Sequence, residues 1–455
     1  MHKTEAEPCS DEYWDACELW PRDRLREFQL TSLRRQLAYV YSSSPFYRKQ
    51  WDEIGWNPAD LQTLDALAHL PFTRKADYAA ALAPRPPWGA LLACAPEDVR
   101  RVHFSSGTTA QPTPNCWTAQ DLDRWAGMYA RYAYAQGVRR TDIFQCLFAL
   151  AWFVGGQGTV AGYERLGAAV IPAGSADSKR QLETIARFGT TSICATPSYA
   201  LHLAEVAREI GFDLAGASIT KVMAGGEPGG AIPSTRRQIE TLWGARCFDG
   251  YGSLEFQPIG WECEQQAGNH LAEDFLYAEV VDGEGRPVPL GQPGVLVLTH
   301  LDKQAFPLVR WWTGDVVVLD ESRCACGRTH ARLAGGVQGR ADDMLIIRGV
   351  NLFPSAVEDI VRSSPGATGE YVIVLDDDVR DPSNGYLTGI KLRVEALPEV
   401  RQQLEGALKS LIRDRLSISA VVEVVEPGVL PRTTHKATRV VRSPSPLQGA
   451  RTQPG

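Results

Sequence analysis

Residues 339–355 read Gly339-Arg340-Ala341-Asp342-Asp343-Met344-Leu345-Ile346-Ile347-Arg348-Gly349-Val350-Asn351-Leu352-Phe353-Pro354-Ser355. An arginine and two aspartates stand where the hydrophobic pattern of the chain changes. Pro354 is placed to open a helix, because the first helical turn has no use for the N–H that proline lacks. A domain boundary near Asp342 follows from this reading. Downstream, the expected helix runs to Arg362 and strands cover 371–375 and 387–394. A second helix then carries Val400, Leu404, Leu408, Leu411 and Leu416 mostly on one face, and a strand covers 421–425. About 100 residues of α+β suffice for a separate domain. Residues 443–455, rich in Ser, Pro, Gly and Gln, are expected to form a disordered tail.

Upstream, short apolar runs at 143–150, 168–171, 192–195 and 221–224 alternate with helical patterns such as 179–187. That alternation predicts a mostly parallel sheet wound with helices. Runs at 278–281, 295–299 and 316–319, joined by Gly- and Pro-containing turns, predict a smaller antiparallel or barrel-like unit. Residues 25–83 are mostly helical in pattern. A strand at 102–104 feeds the polar loop Ser105-Ser106-Gly107-Thr108-Thr109. The next helix takes Thr118 as its N-cap, buries Leu122, Trp125, Tyr129 and Tyr132 on one face and stops at Gly137. The fold class is therefore α/β and α+β. A large N-terminal domain, 1–341, joins wound sheets to a barrel-like unit, and a small α+β domain occupies 342–442.

With 455 residues, 44% hydrophobic and 22% charged, the chain has the composition of a folded globular protein. A formal charge of −7 argues against nucleic acid as the main partner, since phosphate binding calls for a basic face. The longest apolar stretch, 143–154, is interrupted by Gln145, ends at Gly155-Gly156 and is too short to span a bilayer. The N-terminal Met-His-Lys-Thr-Glu-Ala-Glu has neither the basic region nor the apolar core of a signal peptide. A cytoplasmic location with no membrane partner is expected. In that compartment the 10 scattered cysteines do not make a disulfide framework.

Several segments suit nucleotide chemistry. The Ser105–Thr109 loop, between a strand and a helix, can offer backbone N–H groups and hydroxyls to phosphate oxygens. Tyr251-Gly252-Ser253-Leu254-Glu255 sets one carboxylate after a Gly turn, where it could hold Mg²⁺ beside phosphates. Thr313-Gly314-Asp315 offers an acidic group to ribose hydroxyls, and Pro431-Arg432-Thr433-Thr434-His435-Lys436 puts one lysine near the end of the second domain. Each alone is equally a turn with solvated charges.

In order and spacing, these segments resemble the adenylate-forming superfamily of acyl-CoA synthetases, peptide-synthetase adenylation domains and luciferases, most closely its phenylacetate–CoA ligase branch. The resemblance runs from Phe46-Tyr47-Arg48 and Leu70-Pro71-Phe72-Thr73-Arg74-Lys75 to Lys436, and residues 339–355 are the stretch most specific to the branch. It implies that Ser105, Ser106, Gly107, Thr108 and Thr109 form the phosphate loop for ATP. Gly225-Gly226-Glu227-Pro228, Tyr251 and Gly252 would border adenine, and Asp315 would bind the ribose with Arg340 assisting. Glu255 would hold Mg²⁺, and Lys436 would bridge carboxylate and α-phosphate; with Thr108 these two are the implied catalytic groups. Gly349 would line the coenzyme A tunnel after the small domain rotates. Three positions depart from the family pattern: Ala110-Gln111 replaces the usual Gly-Lys before Pro112, Leu254 precedes the Glu, and His435 precedes the Lys.

Cys263, His270, Cys324 and Cys326 make a Cys₃His set suited to a structural, tetrahedral Zn²⁺, with His330 as a competing ligand. Relatives in this branch carry a similar cysteine-rich turn before Gly327-Arg328-Thr329. The resemblance implies an aryl or arylacetic acid as substrate, in a pocket between 148–158, 224–226 and 251–253, with Trp152 and Phe153 as apolar walls. The expected activity is an ATP-dependent aryl-carboxylate–CoA ligase that releases pyrophosphate. The alternatives are an AMP ligase that passes its acyl group to a carrier protein or an amine, and a non-catalytic zinc-stabilised nucleotide-binding protein. Whether the chain is a monomer or a homodimer stays open.

Overall fold

The computed structural model describes residues 8–104, 113–348, 350–383, 386–430 and 439–442. Two compact units make up the chain: Met1–Ala231 with Arg236–Val337, and Ile232–Thr235 with Gln338–Gly455. The division falls ahead of Asp342. The tail expected at 443–455, the loop 105–112, Gly349 and Lys436 lie outside the described residues.

The first unit is built on one long hydrogen-bonded path of strands. Its parallel part runs Arg246–Tyr251, Lys221–Gly225, Ser192–Ala195, Ile143–Cys146, Ala169–Ile171. The helices Val154–Leu166, Ser178–Phe188, Pro197–Glu209 and Pro233–Trp243 intervene in sequence between successive strands, as parallel pairing requires. The strands Leu276–Val281, Pro293–His300 and Trp311–Asp320 pair antiparallel to one another, as one of the two expected arrangements has it, and they join the same hydrogen-bonded path. Arg332–Leu333, Asn269–Leu271 and Gly260–Trp261 carry the ladder antiparallel to Arg246–Tyr251. Turn composition announces antiparallel strands but does not say which edge they join.

Helix Ala119–Ala135 begins as its sequence indicates: the Thr118 hydroxyl accepts from the Asp121 N–H while the Asp121 carboxylate accepts from the Thr118 N–H. Trp125, Tyr129 and Tyr132 are buried, and Gly137 takes φ +81° just past the helix end. Phe104 pairs with Pro114 in a two-stranded ladder, Arg101–Phe104 against Pro114–Trp117.

In the second unit a four-stranded sheet runs Ser419–Val425, Gly389–Ala396, Ala367–Leu375, Val440–Arg442. Helices Pro354–Ser363 and Arg401–Leu416 pack on it, and Leu345–Ile347 pairs with Val350–Leu352 as a small hairpin. Leu404, Leu408 and Ile412 form the buried stripe of the second helix, and Ser417 ends it in the left-handed region at φ +56°. Among the described residues no helix is long and apolar enough to cross a membrane.

Candidate active site and metal centre

Strand order decides where a ligand can sit. After Ile143–Cys146 the chain goes to Ala169–Ile171 on one side, then crosses to Ser192–Ala195 on the other. The connections beyond the carboxyl ends of Ile143–Cys146 and Ser192–Ala195 therefore diverge and open a crevice, the usual ligand position in wound α/β sheets. Leu147 N–H donates to the Cys194 carbonyl at that end, and Phe148 follows. Gly225 and Gly250 are register partners in the adjoining strands, and a Cβ on Gly225 would lie 2.8 Å from the Gly250 carbonyl. Only glycine permits that approach.

The expected adenine and ribose residues converge here. Gly226 turns the chain at φ +85°, and the Glu227 carboxylate accepts the Ser198 N–H at 2.8 Å, at the start of helix Pro197–Glu209. This is a favourable place for a negative charge, because the first N–H groups of a helix lack intrahelical partners. The Tyr251 hydroxyl donates to the Asp315 carboxylate, whose own N–H donates to the Thr313 hydroxyl at 3.0 Å. Glu255 is half-buried. Burial raises its carboxyl above the ordinary range, and nearby Asp315 adds to the rise, while Ser253 and the charge of Lys75 oppose it. The Asn115 amide donates to the Leu254 carbonyl at 3.2 Å, which ties this turn to strand Pro114–Trp117.

In the second unit Arg340 and Asp342 form an ion pair with contacts of 2.9 and 3.2 Å. Of the expected acyl-pocket walls, Trp152 is turned outward, 54% exposed, with its ring edge-on to Phe104. Its backbone carbonyl accepts from His103 Nδ1 and the Phe104 N–H, both at 3.1 Å. Phe148 is half-buried, and its ring comes within 3.8 Å of where a Gly225 Cβ would stand.

Away from the crevice, Cys263, His270, Cys324 and Cys326 come together with all four ligand atoms within 4.8 Å of one another. Cys263 follows Gly260–Trp261, His270 lies in Asn269–Leu271, and the two remaining cysteines sit in the turn between Trp311–Asp320 and Arg332–Leu333. Residues far apart in sequence meet because these strands are neighbours in the sheet. Cys263 Sγ is 3.9 Å from Cys324 Sγ, and Cys326 Sγ is 3.6 Å from His270 Nε2. His270 Nδ1 donates to the His330 carbonyl at 3.3 Å, which leaves Nε2 as the lone-pair nitrogen. The Cys326 thiol is held below the ordinary range, first by a hydrogen bond from the Cys263 thiol and then by His270.

His330 is not a competing ligand: its ring nitrogens face the carbonyls of Leu271 at 3.0 Å and Cys17 at 3.1 Å. It belongs to a second group, with Cys17 and Asp274, of which His330 and Asp274 are already engaged. Both Asp274 oxygens accept from Arg131, at 2.7 and 2.9 Å.

The N-terminal segment had no site residue assigned to it, yet it is sewn to the turn that carries Cys324 and Cys326. Buried Glu18 pairs with Arg328, the Tyr13 hydroxyl donates to the Cys326 carbonyl at 2.9 Å, and the Thr329 N–H donates to the Glu18 carbonyl at 3.0 Å. No periodicity or motif marks Glu18; only Arg328, beside the cysteines, gave a signal.

Comparison with known proteins finds the AMP-binding enzyme family over residues 54–300 and the AMP-binding enzyme C-terminal domain over 349–443. The phenylacetate-coenzyme A ligase of Thermus thermophilus is 36% identical, covering 92% of this chain and 97% of its own. That of Pseudomonas putida is 36% identical, covering 92% and 94%. Among solved structures, 2-hydroxyisobutyryl-CoA ligase in the postadenylation state with 2-HIB-AMP superposes with a TM-score of 0.90 at 30% identity, over 96% of this chain and 93% of that one.

Proposed function

We propose the reaction of this chain from one premise: it belongs to the AMP-binding enzyme family, in the phenylacetate–coenzyme A ligase branch, and is an AMP-forming ligase that joins a carboxylic acid to coenzyme A. The acid is aromatic, of the phenylacetate or benzoate/aminobenzoate type. The observation that carries this is the 36% identity to a phenylacetate-coenzyme A ligase across 97% of that protein's length.

The reaction has two halves. A carboxylate oxygen of the acid attacks the α-phosphorus of ATP, the bond from that phosphorus to the bridging oxygen breaks, and pyrophosphate leaves. The thiolate sulfur of coenzyme A then attacks the acyl carbon, and AMP leaves with the electron pair of the broken C–O bond. Like charges approach in the first half, so fixed cations and N–H donors are the natural catalyst. Ser105, Ser106, Gly107, Thr108 and Thr109 cradle phosphates, and Lys436 bridges the acid and the α-phosphate. Gly226, Glu227, Pro228, Tyr251 and Gly252 border adenine. Asp315 takes the ribose hydroxyls, its carboxylate oriented by the Tyr251 hydroxyl, and Arg340 assists. Gly349 lines the coenzyme A path, and residues 1–341 and 342–442 move as bodies about Asp342. The departures at Ala110, Gln111 and Leu254 bear on ATP affinity.

Glu255 fits Mg²⁺, which characteristically takes one or two carboxylates and completes its shell with substrate phosphates and water. Bound there, the ion would neutralise phosphate charge. The Cys263, His270, Cys324, Cys326 set fits Zn²⁺. Bonds of about 2.3 Å to sulfur and about 2.05 Å to nitrogen in a tetrahedron put sulfurs about 3.8 Å apart and sulfur and nitrogen about 3.6 Å apart. The observed separations are 3.9 and 3.6 Å. Four protein ligands leave no open position, so this ion is structural. The enzyme works in the cytoplasm, as a monomer or a homodimer.

The test is mass-spectrometric detection of products from ATP, Mg²⁺ and a panel of acids, with and without coenzyme A. Aryl-CoA is the expected product. Adenylate without thioester would point to a carrier protein or an amine as acceptor, and turnover confined to small aliphatic acids such as 2-hydroxyisobutyrate would overturn the substrate class.

A further inference from the structure

Residues 256–261, Phe-Gln-Pro-Ile-Gly-Trp, are all buried, and Gln257, 8% exposed, is the one hydrophilic side chain among them. The turn that carries it is fixed at both ends. The Ser253 N–H donates to the Phe256 carbonyl at 2.8 Å, and the Ile259 N–H donates to the Tyr251 carbonyl at 3.0 Å. The Phe256 ring stacks on the His300 ring, their centres 3.7 Å apart. Burying an amide costs free energy unless it is hydrogen-bonded, and half of this one is: Oε1 accepts from the Tyr129 hydroxyl. Nε2 has no partner among the described residues, and it is not enclosed.

The amide lies flat across Gly252, where an added Cβ would stand 2.7 Å from its carbon, oxygen and nitrogen alike. Tyr129 in turn fills the space that a Cβ on Gly158 or Gly162 would take. Gly252 directly follows strand Arg246–Tyr251, and Gly158 lies in the helix that follows Ile143–Cys146. Gln257 therefore bridges two connections at the carboxyl end of the parallel strands, the side on which the crevice opens. Tyr132, whose ring is 5.7 Å from that of Tyr129, has its hydroxyl enclosed beneath Gly250 and offers nothing to a ligand.

Resting on the ligase reading above, we propose that Gln257 selects the acid: its Nε2 donates a hydrogen bond to an oxygen on the acyl part of the substrate, so that the preferred acid is an aromatic acid bearing a ring hydroxyl or carbonyl rather than a plain one. The Tyr129 hydroxyl occupies Oε1 and so fixes which end of the amide the ligand meets, and an amide N–H can only donate. A plain ring seated against it excludes water and leaves the donor unpaired, whereas a ring oxygen takes the place of that water. A site built this way discriminates against the analogue that lacks the partner atom.

Gln257→Leu keeps the bulk of the side chain and removes the donor. The comparison is thioester formation from matched acids: phenylacetate against its ring-hydroxylated isomers, and benzoate against its own. Wild type should favour one hydroxylated isomer over its parent by about tenfold in kcat/KM, the scale of one buried neutral hydrogen bond. Gln257→Leu should bring that ratio to within about twofold of unity, through the KM of the hydroxylated acid, with the KM for ATP unchanged. If the stranded Tyr129 hydroxyl lowers the Tm of this variant, the double variant Tyr129→Phe with Gln257→Leu removes both partners and gives the same comparison. A wild type that favours the parent acids, a preference that survives in the variants, or a loss confined to the KM for ATP would overturn the proposal. A chain that forms neither adenylate nor thioester from any acid would instead defeat the reaction reading, and calorimetric binding of the same acid pairs to wild type and variant would still decide Gln257.

Discussion

The hydroxyl of Tyr251 donates to the carboxylate of Asp315, joining the end of a parallel strand to an antiparallel strand 64 residues further along the chain. Asp315 is held from two sides, since its backbone is fixed by the Thr313 hydroxyl and that hydroxyl in turn donates to the Leu296 carbonyl at 2.8 Å. On the proposed reading this fixed carboxylate accepts two ribose hydroxyls. Hydrogen bonds to a charged group contribute about 1.5–3 kcal/mol each. Asp315→Ala is therefore expected to lower kcat/KM for ATP by about 10²-fold or more, and Tyr251→Phe by about tenfold, mainly through KM. Steady-state kinetics with ATP varied at saturating acid checks both. Equal kcat/KM in Asp315→Ala and wild type would remove Asp315 from the nucleotide site.

Lys436→Ala separates the two half-reactions. Its ammonium is assigned to the acid and the α-phosphate, so adenylation should fall by about 10²–10³-fold. Thioester formation from presynthesised acyl-adenylate needs no such bridge and should stay within about threefold of wild type. Stopped-flow measurement of each half-reaction tests this, with Tm as the control for folding. Equal losses in both halves would assign Lys436 to coenzyme A binding or to domain motion instead.

What could be read along the chain was local. Thr118 and Asp121 cap their helix as their spacing indicates, and Trp125, Tyr129 and Tyr132 are buried because they recur at helical intervals. Pro354 opens its helix, and Ser192–Ala195 is wholly buried, as a continuous apolar run in a parallel sheet should be. What could not be read were pairings across the fold. The antiparallel strands join the main sheet through Gly260–Trp261 and Asn269–Leu271, each too short to leave a periodic signal. Trp152 was expected to line a pocket and is turned outward, since composition does not tell which way an aromatic near a turn will face. Glu18 and Arg328 meet across 310 residues, a distance at which no sequence interval means anything. Cys263, His270, Cys324 and Cys326 were legible as a group through their chemistry and a family resemblance, not through their spacing, and the structure brings them together.

If zinc fills the Cys₃His set, elemental analysis of the purified chain should find about one zinc per chain, and Cys263→Ser or Cys326→Ser should bring it close to zero. The metal would hold the turn that anchors Tyr13, Glu18 and Cys17 through Cys326, Arg328, Thr329 and His330. Chelation is therefore expected to lower Tm by several degrees and to expose residues 9–20 to limited proteolysis, while the sheet core stays resistant. Full zinc content in both cysteine variants would discard the site.

Arg131 and Asp274 make the pH prediction. The guanidinium, on helix Ala119–Ala135, reaches both oxygens of Asp274, which lies between strands Asn269–Leu271 and Leu276–Val281, and it also contacts Asp15 at 2.8 Å. Burial by itself would raise the Asp274 carboxyl, but the Arg131 charge and its two hydrogen bonds outweigh it and hold the group well below the ordinary carboxylate range. A depressed folded-state value means that the stabilisation is complete above the unfolded value, near 3.9, and is lost as pH falls toward the folded one. The wild type should therefore lose stability steeply below about pH 4. Asp274→Asn leaves Arg131 buried with only Asp15 for a partner, which should cost about 3 kcal/mol at pH 7, and its stability should fall less between pH 5 and pH 2. The double variant Arg131→Met with Asp274→Asn should regain part of the loss, because the buried charge is gone. Urea unfolding at stepped pH measures all three, and parallel stability-against-pH curves for wild type and Asp274→Asn would show that the pair carries no linkage.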